Sequence, residues 1–369
     1  MMDTLGKLME GGSIFSSPLV LAFWGACLLL GSCFLPALIW HGRSGRSNGT
    51  DCRPDEPFDG NEARGKATIS SLHVYPVKSC AGHEVQQATL GDRGFEMDRL
   101  WLVVDGRGRF MSQRRCPKMA LISPSLPKSQ DEALTMTAPG MASIEVPVMR
   151  KVGPDGPEAG GKLAKVDVWK DTCEGVDQGD AIAAWLCAFL ETVKACENLR
   201  LVRMKDGFVR PTDPAYGTGF RTSFADGFPM LLAAEESLEE LNSRMAPEEA
   251  VGMDRFRPNI VVRGWGPFAE DDWTKIRVGG IVMRTPKPCS RCQIPSINQS
   301  SLEKRDEPRA TLEKFRAGSQ VTEWQESWSK SVFFGMNVLH ERRGVLRVGD
   351  RVDVLRVAKK TPLDVKKAA

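Results

Sequence analysis

The chain has 369 residues, 41 % hydrophobic and 26 % charged, with a net charge of +3. This suits a globular protein of about two domains, and the interspersed signs of charge exclude a nucleic-acid surface built on bulk basicity. Ten cysteines are scattered rather than framed, which argues for a reducing compartment rather than a disulfide scaffold.

After a short N-terminal segment (1–17), residues 18–40 run from Pro18 to Trp40 without a charge. A run of roughly 20 apolar residues spans a bilayer as a helix, so this stretch reads as a transmembrane anchor; a cleaved signal peptide is its main rival. His41, Arg43, Arg46 and Arg53 follow it, and positive charge on that flank directs the body to the cytosol. Residues 41–66 are rich in Gly, Ser and Pro and read as a flexible tether. Residues 358–369, with Lys359, Lys360, Lys366 and Lys367, read as a basic tail.

From Ala67 to residue 205 the pattern is short strands and turns. Strands are expected at Ile69–Val77, Leu100–Val104, Leu134–Thr137, Ile144–Val148 and Val166–Trp169, with turns at Asp105-Gly106 and Pro139-Gly140. That spacing predicts a small β-barrel or sandwich. One helix follows: Asp180 is placed to cap it, and Ile182, Trp185, Leu186, Phe189 and Leu190 share one face, a core stripe. Two strand ends carry cations and short donors suited to an anion: Tyr75-Pro76-Val77-Lys78-Ser79-Cys80, and Asp98-Arg99.

Residues 206–357 form the second half. Phe224-Ala225-Asp226-Gly227-Phe228-Pro229 is a turn before the apolar run Met230-Leu231-Leu232, and Glu235 to Met245 is helical. Arg255-Phe256-Arg257-Pro258-Asn259 enters a strand, offering a planar guanidinium fork and an amide. A hairpin around Gly279-Gly280 delivers the chain to Pro288-Cys289-Ser290-Arg291-Cys292. Leu346 to Leu355 reads as strand, turn and strand, suited to closing a barrel. The Cys-x-x-Cys is compatible with ordinary thiols, with a single-thiolate metal or cofactor site, or with zinc or redox chemistry; spacing alone does not choose between Cys289 and Cys292. There is no dinucleotide fingerprint, phosphate loop or paired His for haem, and no nucleophile elbow.

In their order these segments resemble the MOSC-domain family, most closely its amidoxime-reducing component branch, over roughly Ala67 to Leu355. The motifs are Tyr75 to Cys80, Asp98-Arg99-Leu100-Trp101, Phe224 to Pro229, Phe256-Arg257-Pro258-Asn259-Ile260-Val261, Lys287 to Cys292 and Arg347-Val348-Gly349-Asp350. The resemblance implies an α+β, β-rich fold: an N-terminal small β-barrel domain (67–205), then a MOSC β-barrel domain (206–357) with a few helices, behind the N-terminal transmembrane helix. It implies a molybdenum cofactor, held through a pterin dithiolene and the thiolate of Cys292, the catalytic ligand. Lys78, Ser79, Arg99, Arg257 and Asn259 match cofactor contacts, as do Asp226, Gly227 and Ser290.

The activity so implied is reduction of N-hydroxylated compounds such as amidoximes, with electrons from cytochrome b5 and its NADH-dependent reductase. Membrane-tethered relatives of this kind face the cytosol from the mitochondrial outer membrane. Two other readings stand beside it: a sulfur-carrying protein of the molybdenum-cofactor sulfurase type, and a non-catalytic cofactor carrier. The chain departs from the pattern at Gln293-Ile294-Pro295-Ser296 and at Met336, where related chains often carry Gln; both departures bear on the substrate pocket.

Overall fold

The computed structural model describes residues 63–127, 132–148, 152–153, 156–157, 162–190, 198–320 and 328–357, all within a unit spanning 49–369. The expected anchor at 18–40, most of the tether and the basic tail lie outside these residues. Among the described residues no helix is long and apolar enough to cross a membrane. The tether was expected to run to residue 66, but residues 63–66 already belong to the first strand, Ala63–Val74.

Seven strands close into a ring. In order they are Ala63–Val74, Ile260–Arg263, Met230–Ala234, Phe333–His340, Ile281–Ser290, Trp273–Val278 and Arg351–Val357, the last returning to Ala63–Val74. Every neighbour pair is antiparallel except Met230–Ala234 with Ile260–Arg263. Alternating apolar positions of each strand meet in one core: Ile69, Leu72, Leu232, Ile260, Val262, Ile276, Met283, Val338 and Val352, with Trp273. Closure removes the exposed edge that an open sheet would leave. The Gly279-Gly280 hairpin forms as expected, Val278 opposite Ile281, with Gly279 at φ 57°, where a glycine avoids the Cβ clash.

The expected strand–turn–strand at Leu346–Leu355 forms and its second strand closes the ring, but the two strands do not pair with each other. Gly344–Arg347 pairs with Gln87–Gly91, whereas Arg351–Val357 enters the ring. Periodicity located both strands, but alternation does not encode the partner.

The first half was expected to form a small β-barrel or sandwich. Its described strands lie in separate sheets: Leu163–Val168, Asp171–Asp177, Arg200–Met204 and Trp101–Val104 in one, and Ser123–Pro124, Ala133–Thr137 and Ile144–Pro147 in another. Trp101–Val104 is buried on both faces, Trp101 and Val103 in one cluster, Leu102 and Val104 in the next. The helix Asp180–Leu190 buries the expected stripe against Trp101, Leu134 and Leu201. Asp180 does not act as the expected cap; its carboxylate pairs with Arg200 at 2.6 Å. The turn after Val104 has its positive φ at Gly108, not Gly106, with Asp105 Oδ1 accepting from Arg107 N and Arg109 N.

One buried acid gives the barrel a pH dependence. Glu270 is fully buried beside the helix Glu235–Ser243, and both its carboxyl oxygens lie within 2.8 and 2.9 Å of Ser237 Oγ. Burial, then the charge of Asp271, push its pKa up to about 7. The folded state therefore holds a proton that the unfolded chain releases near pH 4.5, so stability falls as pH rises through 4.5 to 7. Glu270→Gln is expected to flatten that slope and raise stability above pH 7 by at most about 3 kcal/mol, read by denaturant titration across pH. A slope unchanged in the variant contradicts the assignment.

Candidate cofactor site

The end of Ala63–Val74 builds the first side of the site. After it the chain runs beside residues 99–101: Arg99 N donates to Tyr75 O (2.7 Å), Trp101 N to Pro76 O (3.1 Å) and Lys78 N to Trp101 O (2.9 Å). The two cationic strand ends found in the sequence are thus bound together by backbone hydrogen bonds. The loop before Met230 joins them, because Phe224 N donates to Arg99 O and Ser223 Oγ to Asp98 O. The Asn259 segment docks on the other flank through His73 N to Asn259 O.

Three cations from remote segments meet here. Arg99 Nη1 bonds both oxygens of the buried Asp98 and Asn259 Oδ1, and Arg99 Nη2 bonds Arg257 O. Arg99 and Arg257 both lie over the Tyr75 ring, 4.2 and 4.3 Å from its centroid, a favourable cation–π geometry. Lys78 pairs with Asp226 at 2.6 Å.

Burial pushes the Lys78 ammonium and the Arg257 guanidinium below their usual values. Asp226 is crowded by protein, which alone would raise it, yet the Lys78 charge and hydrogen bond, with the Trp169 Nε1 bond, hold it well below the carboxylate range. Its side chain is still 72 % exposed against 8 % for Lys78, so it stands on the open side of the cleft. Arg257 differs from its neighbours: it donates one hydrogen bond, to Cys80 O (2.7 Å), and has no carboxylate partner among the described residues. A desolvated cation without a counter-charge is poised for an anion.

Backbone strain concentrates at the same place. Ser79, Arg99, Arg257 and Trp169 are four of the eight non-glycine residues with positive φ among the described residues. Such conformations cost about 1–3 kcal/mol each and persist where surrounding contacts enforce them.

The cysteine loop closes the other side. Cys289 is the last residue but one of the long strand Ile281–Ser290. Arg291 anchors the loop through Nη2 to Phe256 O (2.8 Å), next to Arg257, and Arg255 Nε bonds Pro295 O (2.9 Å). Gln113 bridges the halves, donating to both Ser79 O (3.0 Å) and Gln299 Oε1 (2.8 Å). The two sulfurs are not equivalent. Arg291 Nη1 donates to Cys289 Sγ at 3.2 Å, and burial raises that thiol's pKa against the pull of Arg291. Cys292 Sγ, half-buried, accepts only the Ile294 N–H (3.5 Å) among the described residues. Cys292 is thus the sulfur left available. No three His, Cys, Asp or Glu side chains cluster to hold a metal ion among the described residues.

Of the residues singled out in the sequence, Lys78, Ser79, Arg99, Arg257 and Asp226 come together. Gly227 adjoins Asp226, and a Cβ there would meet nothing within 4 Å. Asn259 is present but turned inward: Oδ1 accepts from Arg99 and Leu231 N, and Nδ2 donates to His73 O and Asp98. It positions Arg99 rather than facing the cleft. Ser290 is exposed at the strand end. Met336 is fully buried opposite Pro288, so its influence runs through packing, and Gln293 is exposed, accepting from Lys304.

The sequence did not single out Tyr75, Trp169, Arg210, Gln113 or Gln299 as site residues. Arg210 is 2 % exposed and ties Asp171 to the carbonyls of Ser223, Ala225 and Asp226, fixing the Asp226 loop. Trp169 alone left a trace: a large aromatic at a hairpin turn, where polar residues are usual.

A β-barrel carries a converging cation cluster suited to an anionic ligand, with an available thiol on the adjoining loop. Two family models match the chain: the MOSC N-terminal beta barrel domain over residues 66–193 and the MOSC domain over residues 220–353. Mitochondrial amidoxime-reducing component 1 of Mus musculus is 32 % identical over 297 residues, covering 78 % of this chain and 82 % of that protein. Mitochondrial amidoxime reducing component 2 of Bos taurus is 32 % identical over 294 residues, 77 % and 82 % of the two chains. Molybdenum cofactor sulfurase of Danio rerio is 30 % identical over 314 residues, 80 % of this chain but 35 % of that one. The chain belongs to the MOSC-domain family, in its amidoxime-reducing component branch.

Proposed function

We propose that this protein is a molybdenum-cofactor oxidoreductase that reduces N-hydroxylated compounds, amidoximes among them, to the corresponding amidine or amine and water. The observation that carries the reading is the Arg99–Tyr75–Arg257 arrangement, with Arg257 lacking a counter-charge beside the cysteine loop. The residues fit the group: Lys78, Arg99 and Arg257 would neutralise its phosphate-bearing pterin end, Ser79 would add a short donor, and Cys292 would ligate molybdenum. When bound, that group supplies two-electron oxygen-transfer chemistry.

The chain's own residues do the rest. Arg99 is held by Asp98 and Asn259, so its fork is oriented before binding, which lowers the ordering cost. Gln113 and Gln299 keep the cysteine loop in register with the Ser79 turn. Asp226, on the open side, accepts from Lys78 and Trp169 and offers its exposed oxygen to an N–H donor. Burial raises the pKa of the Cys289 thiol, and Arg291 engages its sulfur, so Cys292 would be the ligating cysteine.

Electrons would come from cytochrome b5 and its NADH-dependent reductase. The apolar run 18–40 and its basic flank support a membrane anchor with the body towards the cytosol. The names of the relatives support a mitochondrial site, and the outer membrane fits that orientation. The match to a cofactor sulfurase keeps a sulfur-carrying role as the second reading; a non-catalytic carrier is the third.

The test is full-length protein assayed with benzamidoxime, NADH, cytochrome b5 and the reductase. Benzamidine formed in step with NADH oxidation, and lost in molybdenum-free preparations, is the expected result. A persulfide on cysteine without N-reduction favours the sulfurase reading; bound pterin without turnover favours the carrier.

A further inference from the structure

An open cationic groove lies beside the Lys78–Asp226 pair. It measures about 440 Å³ and is lined by Arg109, Phe110, Ser112, Arg114 and Arg115. It adjoins the candidate site through two aromatic rings. The Lys78 ammonium lies 5.6 Å from the Phe110 ring centroid, and Phe110 packs against Trp169 at 5.2 Å. Trp169 in turn donates to Asp226 Oδ1 at 3.0 Å. Trp169 is held at φ 59° and is half exposed at the turn between Val168 and Asp171, with its indole placed between Asp226 and Arg114.

The arginines are not equally free. Arg109 and Arg115 share the carboxylate of Asp105, at 2.9 and 3.4 Å. Arg114 is exposed, has no ion pair among the described residues, and lies 4.5 Å over the Trp169 ring. One planar fork without a counter-charge, next to two aromatic faces, matches a flat ring bearing one planar monoanion. A phosphate dianion would call for more unpaired cations than this groove offers.

We propose that this groove is a substrate subsite, with Arg114 binding the carboxylate of an aromatic N-hydroxylated substrate whose N–O group enters the cleft. The proposal rests on the N-reductase reading above and names its preferred substrate class. Arg114 is then a specificity-determining residue that takes no part in the chemistry.

The test compares benzamidoxime with 4-carboxybenzamidoxime on the loaded full-length enzyme. The wild type is expected to show a KM about tenfold lower for the carboxylated compound, the size of one charge-assisted hydrogen bond in a half-exposed site. Arg114→Gln is expected to erase that difference while leaving kcat and the benzamidoxime KM unchanged, and Arg114→Lys to restore part of it. Equal KM values for the two compounds in the wild type overturn the proposal, as does an Arg114→Gln variant slowed equally with both, which would place the arginine at the electron donor's docking surface. If the wild type reduces neither compound, the reductase reading fails and calorimetric titration with 4-carboxybenzamidoxime decides the subsite. Binding lost in Arg114→Gln supports it; absent or unaffected binding overturns it.

Discussion

Cys292→Ala is expected to lose bound molybdenum and all N-reduction, whereas Cys289→Ala keeps part of both. The two thiols share a short loop and are both half-buried, so accessibility does not separate them. Their partners do. Cys289 Sγ accepts from Arg291, and burial raises its thiol pKa. Cys292 Sγ has only a long backbone N–H contact from Ile294. Metal ligation requires the deprotonated sulfur, and the hydrogen bond from Arg291 already engages Cys289 Sγ, whereas no side chain among the described residues engages Cys292 Sγ. Removing Cys289 leaves Arg291 anchored by its bond to Phe256 O, so the loop keeps its shape with a modest loss of order. Metal analysis of the purified variants reads the outcome directly. Full occupancy in Cys292→Ala overturns the ligand assignment.

The second large effect is at Arg257. Arg257→Ala is expected to weaken cofactor retention by about 30- to 1000-fold, the roughly 2–4 kcal/mol of a truncated charge contact in a desolvated site. The stability of the cofactor-free protein is expected to change by less than about 1 kcal/mol. That separation follows from what Arg257 touches: one carbonyl and one aromatic face, with no carboxylate to strand. Arg99→Ala is the contrast. Its partner Asp98 has no exposed side-chain surface, so truncation leaves a buried carboxylate with only the Tyr75 N–H and the Asn259 amide and no counter-charge, at a cost of roughly 3 kcal/mol. Denaturant unfolding with a cofactor-release assay on both variants separates the two roles. An Arg257→Ala protein destabilised as much as Arg99→Ala would make Arg257 a structural residue.

The cations were legible in the sequence because each sits at a strand end with short polar neighbours, a placement that local patterning reveals. Their convergence was legible only through the resemblance, since no local signal says that Arg99 and Arg257 share the ring of Tyr75. Asn259 was read as an amide offering donors and an acceptor, matching a cofactor contact. The fold turns it inward, because an amide between Asp98 and Arg99 satisfies four polar groups at once. Arg210 and the Gln113–Gln299 pair left no trace, for their partners are backbone carbonyls or residues far along the chain. The barrel shows the same limit. Arg351–Val357 and Gly344–Arg347 were both seen as strands, yet their partners depend on where Ala63–Val74 and Gln87–Gly91 come to lie.

Molybdenum and pterin content of the purified full-length chain tests the central claim most directly. If Cys292 and the Lys78–Arg99–Arg257 cradle hold a molybdenum–pterin group, folded protein expressed in a cofactor-producing host carries about one of each per chain. Folded protein from the same host with neither would contradict the account.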